Sequence, residues 1–140
     1  MTQRLLIFTI IFVLLSNYSL AKNKFFEEGL NLYKVKKYNE AKFKFEQDIV
    51  FNPKSEMSYL YLSRIFNNFK EKALEEQNLH TVILLNPNNE EAIYYLAKLK
   101  LDNSDYKKSK ELNNKLMTVC KKLCEKGKKL KIEIENLSKK

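Results

Sequence analysis

Two stretches of the sequence, LLNPNNEEAIYYLAKL at residues 84–99 and VFNPKSEMSYLYLSRI at residues 50–65, place Asn-Pro between apolar segments that carry tyrosine. Pro53 and Pro87, one in each stretch, are the only prolines of the chain. Proline and the residue before it disfavour helical geometry, so each Asn-Pro predicts the end of one helix. The serine, asparagines and glutamates that follow supply caps and negative charge suited to the start of the next helix.

The interval from Pro53 to Pro87 also relates other positions of the chain. A shift by this interval superimposes the large residues Phe25, Tyr59 and Ile93 and the small residues Gly29, Ser63 and Ala97. Small residues at one such position let the two helices of a unit approach closely, and we expect Phe45 and Leu79 to fill the space around that contact. The sequence therefore predicts stacked helical hairpins joined at the Asn-Pro pairs.

The first unit, FFEEGLNLYKVKKYNEAKFKFEQDIVFNP at residues 25–53, has its large, small and proline positions in the order of a known repeat. It resembles the tetratricopeptide repeat, and the resemblance covers three units at residues 22–55, 56–89 and 90–119. The chain looks like a short exported bacterial member of that family. The resemblance implies an all-α right-handed superhelix, an α-solenoid of about three helix-turn-helix repeats, with a C-terminal capping helix.

Three residues depart from the repeat pattern. Glu75 stands where the repeat has alanine, Asn113 where it has a large apolar residue, and Lys121 where the third proline would lie. We expect unit two to use Ala73 in place of the missing alanine, with its turn shifted to residues 67–69.

The segment at residues 120–140 is expected to cover the last unit, because one hairpin cannot bury its own apolar face. Leu130, Ile134 and Leu137 fall on one face of a helix over this segment. Alternation in KLKIEIEN, residues 129–136, is also compatible with a strand. A lone strand would have no partner in a helical chain, so the helix is favoured.

Cys120 and Cys124 are the only cysteines, and in an exported protein an even number suggests a disulfide. A regular helix holds side chains four apart with Cβ atoms about 5–6 Å from each other, whereas a disulfide prefers about 3.8 Å. We therefore expect a turn here, as in short exported bacterial members of the family. A thiol-redox pair, or a metal site completed by His80, remains an alternative.

Residues 1–21, MTQRLLIFTIIFVLLSNYSLA, have the charge, apolar run and small residues of a secretory signal cleaved before Lys22. The apolar run of residues 5–15 rises only about 16 Å as a helix, against a hydrocarbon core of about 30 Å, which argues against an uncleaved anchor. No cysteine for lipid attachment lies at the cut. The sequence thus predicts a periplasmic or secreted protein.

The net charge of +9 comes almost entirely from lysine, since Arg4 and Arg64 are the only arginines. Base recognition in nucleic acids relies on the arginine fork, so nucleic acid is not an expected partner. Residues 121–140 hold eight lysines and three glutamates, and peripheral adsorption to anionic lipid or polysaccharide is an alternative function. No phosphate loop, nucleophile motif or metal-ligand pair is present, so we expect no enzyme activity, cofactor or metal.

The first helix of each unit lines the concave side of such a stack, where partners bind. The residues expected there are Tyr33, Tyr61, Arg64, Asn68, Tyr94, Tyr95 and Lys98. Tyrosines beside these cations suit a peptide or helix that carries an acidic group. The predicted function is a non-enzymatic scaffold that docks a segment of another envelope protein; the identity of that protein and the oligomeric state stay open.

Overall fold

The structure, a computed structural model, describes residues 24–139, and this part of the chain contains seven helices and no strand. The helices are α1, described over residues 24–34, α2 (Tyr38–Phe51), α3 (Glu56–Asn68), α4 (Lys72–Leu85), α5 (Glu90–Asp102), α6 (Tyr106–Val119) and α7 (Cys124–Leu137). The prediction of an all-α fold is confirmed. The strand considered for residues 129–136 is wrong, because those residues lie within α7. The predicted signal peptide falls outside the described residues.

The chain divides into two compact units, residues 1–58 and 59–140, and α3 begins in the first and continues in the second. In the first unit, α1 packs closely against α2 at Gly29. A Cβ atom at Gly29 would lie 2.9 Å from Cε1 of Phe45, whose side chain is fully buried. The rings of Phe25 and Phe51 stack at 5.4 Å. The small residue at this position therefore sets the distance between the two helices.

The turn inside each hairpin has the same backbone conformation three times. Lys36, Lys70 and Ser104 follow one another at the same interval as the two prolines, and all three have φ of 61°. In each turn the next amide donates to a carbonyl five residues back; the bond from Glu71 to Phe66 is 2.9 Å long and the bond from Asp105 to Lys100 is 2.8 Å long. This is the Schellman pattern of helix termination, here with a non-glycine residue at the left-handed position.

The second unit has one apolar core, to which α3, α4, α5, α6 and α7 contribute. Its buried residues are Leu60, Leu79, Val82, Ala92, Ile93, Leu96, Ala97, Leu99, Leu101, Leu112, Leu116, Leu130 and Ile134. Helix α7 packs against α6 and α5 with Leu130 and Ile134 buried, while its lysines are exposed. The C-terminal segment thus covers the apolar face that α6 would otherwise expose.

Glu75 and Asn113 are accommodated by hydrogen bonds. The expectation that the second repeat, residues 56–89, uses Ala73 with a shifted turn is wrong. Ala73 is exposed, and Glu75, at the position equivalent to Ala41, is only 4% exposed. Asn67 donates to the Glu75 carboxylate across the turn. The left-handed residue of this turn, Lys70, has the same φ as its equivalents in the other two repeats. Asn113 is buried where Phe45 lies in the first repeat, and its amide donates to the carbonyl of Gly127 on α7 at 3.1 Å.

Residues 120–123 form a turn between α6 and α7, and Cys124 begins α7. The Sγ atoms of Cys120 and Cys124 lie 2.11 Å apart, and the Cα atoms 5.3 Å apart. The Glu90 carboxylate accepts hydrogen bonds from the backbone amides of Lys122 at 2.9 Å and Leu123 at 2.8 Å. These bonds lower the pKa of Glu90, the one to Leu123 most of all. The turn is therefore attached to the start of α5.

None of the helices described over residues 24–139 combines the length and the hydropathy needed to cross a lipid bilayer.

Candidate partner-binding surface

The residues predicted to contact a partner lie on three helices. Tyr33 is on α1 in the first unit, Tyr61, Arg64 and Asn68 are on α3, and Tyr94, Tyr95 and Lys98 are on α5. The Tyr33 ring packs against the Tyr38 ring at 5.4 Å, across the turn between α1 and α2. The other six residues all belong to the second unit, where their geometry defines the candidate surface.

Arg64 is engaged by other residues of its own unit. Its guanidinium donates to the Glu91 carboxylate on α5 and lies over the Tyr61 ring, 4.8 Å from the ring centroid. The side chains of Arg64 and Glu91 are 24% and 36% exposed. Asn68 donates from its amide to the Arg64 carbonyl oxygen at 2.8 Å. Much of the positive charge that the sequence suggested for this surface is therefore balanced within the protein.

Tyr95 and Lys98 border a pocket of about 120 Å³ in the second unit. The pocket is lined by Asn67, Glu75, Tyr95, Lys98, Leu99 and Asp102. Asn67 comes from the end of α3 and Glu75 from the first turns of α4, while the other four residues are on α5. Asn67, Glu75 and Asp102 were not anticipated as site residues. The departure of Glu75 from the repeat pattern is the sequence signal that could have identified them.

The Glu75 carboxylate on α4 contacts the end of α3, where the side-chain amide of Asn67 is its hydrogen-bond donor. Both carboxylate oxygens are 3.1 Å from Nδ2 of Asn67. Burial raises the pKa of Glu75, and the negative charge of Asp102 raises it further. The hydrogen bond from Asn67 and the charge of Lys72 act in the opposite direction. The carboxylate is thus poorly compensated for its loss of water.

Tyr94 does not join this pocket. Its ring contacts the Tyr95 ring edge-on at 5.4 Å, and the ammonium of Lys126 on α7 lies 5.5 Å from the Tyr94 centroid. These contacts direct Tyr94 towards the C-terminal helix. The structure therefore brings together Tyr61 with Arg64, and Tyr95 with Lys98, and it separates Tyr94 from the pocket.

His80 lies away from the two cysteines, on the exposed side of α4, where Nε2 is 3.4 Å from Oε1 of Glu76. Glu76 also accepts a hydrogen bond of 2.6 Å from Lys100, which is the main cause of its lowered pKa. Across residues 24–139, no three histidine, cysteine, aspartate or glutamate side chains are grouped so that they could hold a metal ion.

The solved structures that resemble this chain include tetratricopeptide-repeat domains and bacterial type III secretion chaperones. The TPR2B domain of yeast Sti1 in its pHsp70 complex matches with a TM-score of 0.77 at 12% identity, covering 84% of this chain and 98% of that chain. The first TPR of Spaghetti (RPAP3), bound to the HSP90 peptide SRMEEVD, matches with a TM-score of 0.75 at 16% identity, covering 86% and 95%.

The Yersinia enterocolitica type III secretion chaperone SycD, in complex with a peptide of the translocator YopD, matches with a TM-score of 0.74 at 13% identity. The match covers 84% of this chain and 94% of that chain. At these identities the similarity is one of fold. A scan against protein-family models finds no match, and no curated protein matches the sequence.

Proposed function

The chain has the all-α solenoid fold of tetratricopeptide-repeat domains, as the sequence predicted, and on this premise we propose that it is a non-enzymatic scaffold that binds a segment of another protein. Three of the similar structures support the proposal, since each is a complex with a peptide or partner: pHsp70 for Sti1, SRMEEVD for RPAP3 and a YopD peptide for SycD.

The observation that carries the proposal is the surface of the second unit between α3, α4 and α5. It combines half-buried aromatic rings, Tyr61 and Tyr95, with a pocket that Lys98, Glu75 and Asp102 line together with apolar surface. Aromatic residues next to a few placed polar groups are typical of surfaces that bind proteins with specificity. The residues of this surface do not supply a nucleophile with a base or a paired proton donor and acceptor, so we assign it to binding and not to catalysis.

We further propose that the protein works in the periplasm or outside the cell. The signal-like sequence of residues 1–21 supports this location, and so does the approach of Cys120 and Cys124 to within bonding distance. In this proposal the disulfide is structural. It closes the turn that Glu90 binds through two backbone amides, and it thereby fixes the start of α7.

Site-specific photocrosslinking in cells tests the scaffold function. A photoreactive amino acid at Tyr95 is expected to capture a defined protein, whereas the same group at Leu84, which is 81% exposed on α4, is not. Tyr95→Ala should weaken binding of that protein to the purified scaffold. Equal capture at both positions, or an unchanged affinity for Tyr95→Ala, would show that this surface does not bind the partner.

A further inference from the structure

Glu75 is an exception among the three repeats. The positions equivalent to Glu75 hold Ala41 and Ser109, both fully buried and both small. Ser109 satisfies its hydroxyl by donating to the carbonyl of Ala97 at 2.8 Å. A buried carboxylate is costly unless it is well hydrogen-bonded or paired, and a residue that breaks the local pattern at a cost is often retained for function.

The carboxylate of Glu75 has unused hydrogen-bonding capacity. An ionised carboxylate can accept about four hydrogen bonds, whereas Asn67 offers one amide nitrogen that the two oxygens share. Within residues 24–139, no lysine, arginine or histidine forms an ion pair with Glu75. Lys72, whose charge acts to lower the Glu75 pKa, donates instead to Oδ1 of Asn103 at 2.8 Å.

The other charged residues of the pocket leave it with an excess of acceptors. Asp102 makes no side-chain hydrogen bond or ion pair with any described residue, and neither does Lys98. Two carboxylates and one ammonium, that of Lys98, are therefore the charged groups among the lining residues. The apolar surface of Leu99 and of the Tyr95 ring completes the lining.

We infer that this pocket is a subsite for a primary ammonium group, the side chain of a lysine on the partner segment; this rests on the proposed function. A volume of about 120 Å³ holds more than one water molecule and is room for the end of a lysine side chain. The ammonium has three donors, and the carboxylates of Glu75 and Asp102 have more acceptor positions than the single donor of Asn67 occupies. Lysine is a compact charge on an apolar stem, and the stem would lie against Leu99.

This inference replaces the acidic partner group suggested by the sequence. That suggestion relied on the positive charges of Arg64 and Lys98. The structure pairs Arg64 with Glu91, whereas Glu75 and Asp102 are not paired with a cation of the described chain. Charge complementarity at this part of the surface therefore favours a basic residue of the partner.

A titration with a small probe tests the pocket without knowledge of the partner. We expect n-butylammonium chloride, followed by heteronuclear NMR, to shift the side-chain amide signals of Asn67 in a saturable manner. 1-Butanol, with the same stem and no charge, should leave them unchanged at equal ionic strength. The double variant Glu75→Gln with Asp102→Asn should abolish the shift. Equal shifts with butanol, or persistence of the shift in the double variant, would overturn the inference.

Selection of binders from a random peptide library tests the same subsite in the context of a partner segment. Peptides enriched on the native protein should share a lysine, and Glu75→Gln should weaken their binding about tenfold or more, because a buried acceptor loses its charge. Glu133→Gln removes one exposed negative charge on α7 and serves as the matched control, with no expected effect. Peptides that bind without lysine, or bind the Glu75→Gln variant equally well, would refute the subsite and leave the scaffold intact.

Failure of the library to yield any binder would instead count against the proposed function, and the n-butylammonium titration would then decide on the pocket alone. Circular dichroism of each variant shows whether it is folded. Asp102→Asn alone, at an exposed residue, provides a variant that retains the fold if Glu75→Gln does not.

Discussion

Replacement of Gly29 and of Gly127 by alanine should have opposite effects on stability, although both glycines lie within helices. At Gly29 the new Cβ would meet Cε1, Cδ1 and Cζ of Phe45 at 2.9, 3.0 and 3.2 Å. This ring is fully buried and also packs against Phe26 at 5.8 Å between centroids, so it has no free space to enter. Overpacking of this kind costs about 1–3 kcal/mol.

Alanine also favours the helix over glycine by about 0.8–1.0 kcal/mol, which offsets part of that cost. We therefore expect Gly29→Ala to lower the free energy of unfolding by about 1 kcal/mol. At Gly127 the closest atom is Sδ of Met117 at 2.7 Å, near the end of a flexible side chain that is partly exposed. Cδ2 of the buried Leu116 would also lie 3.2 Å away and must shift by a few tenths of an ångström. Met117 can move aside at low cost, and the helix propensity of alanine offsets the contact with Leu116, so Gly127→Ala should be neutral or stabilising by less than about 1 kcal/mol.

Urea unfolding followed by circular dichroism measures both changes, and amide hydrogen exchange assigns each to its helix. Protection should fall in α1 and α2 for Gly29→Ala, because the closest contact is between these helices. If Gly29→Ala stabilises the protein as much as Gly127→Ala does, helix propensity alone governs both sites. The argument that Gly29 sets the distance between α1 and α2 would then be wrong.

Three further predictions concern the turns, the pocket and the cysteines. Lys70 and Ser104 both have φ of 61°, a left-handed conformation that glycine adopts more readily than other residues. Lys70→Gly and Ser104→Gly should therefore each raise the free energy of unfolding by about 1 kcal/mol. An unchanged or lower free energy in urea unfolding would contradict this prediction. Burial raises the pKa of Glu75, so the contribution of Glu75 to stability should fall as the pH rises from 4.5 through the folded-state pKa. In unfolding curves measured across this pH range, the free energy of unfolding of Glu75→Gln should increase relative to that of the wild type. A difference in free energy that stays constant with pH would contradict the prediction. Replacing Cys120 and Cys124 by serine should lower the free energy of unfolding by about 2 kcal/mol if the bond closes the turn, whereas two free thiols in mass spectra of the protein isolated from cells would exclude the bond.

The helical framework could be predicted because it depends on positions that repeat. Asn-Pro ends α2 and α4, Gly29 and Ala97 lie at close helix contacts, and the interval between the prolines also recurs in the backbone of Lys36, Lys70 and Ser104. Each of these signals acts within one hairpin or at one joint. A local rule of this kind can be read from the sequence alone.

The candidate site could be predicted only in part, because it depends on contacts between residues that no periodic rule relates. Tyr95 and Lys98 were anticipated from their place on α5. The pairing of Arg64 with Glu91 joins α3 to α5 and changes the charge of the surface, and it follows from side-chain reach and not from spacing. The proximity of Asn67 to Glu75 likewise depends on how one turn brings two helix ends together.

The two polar departures from the repeat lead to different interpretations because Asn113 is a neutral amide beside a space of about 10 Å³, whereas Glu75 is a carboxyl group beside a pocket of about 120 Å³. Asn113 occupies an apolar position, and its amide nitrogen bonds to the backbone of α7, a helix that covers it in the folded chain. Its amide oxygen has no hydrogen-bond partner among the described residues, but the space beside it, about 10 Å³, is too small for a ligand group. Asn113 therefore acts within the protein, as a link between the last repeat and its cap. Glu75 receives one shared donor from Asn67 and borders an open pocket that contains a second unpaired carboxylate, Asp102. A buried charge that the fold leaves short of donors is stabilised by a ligand that brings them, and for this reason we assign the exception at Glu75 to the partner and the exception at Asn113 to the fold.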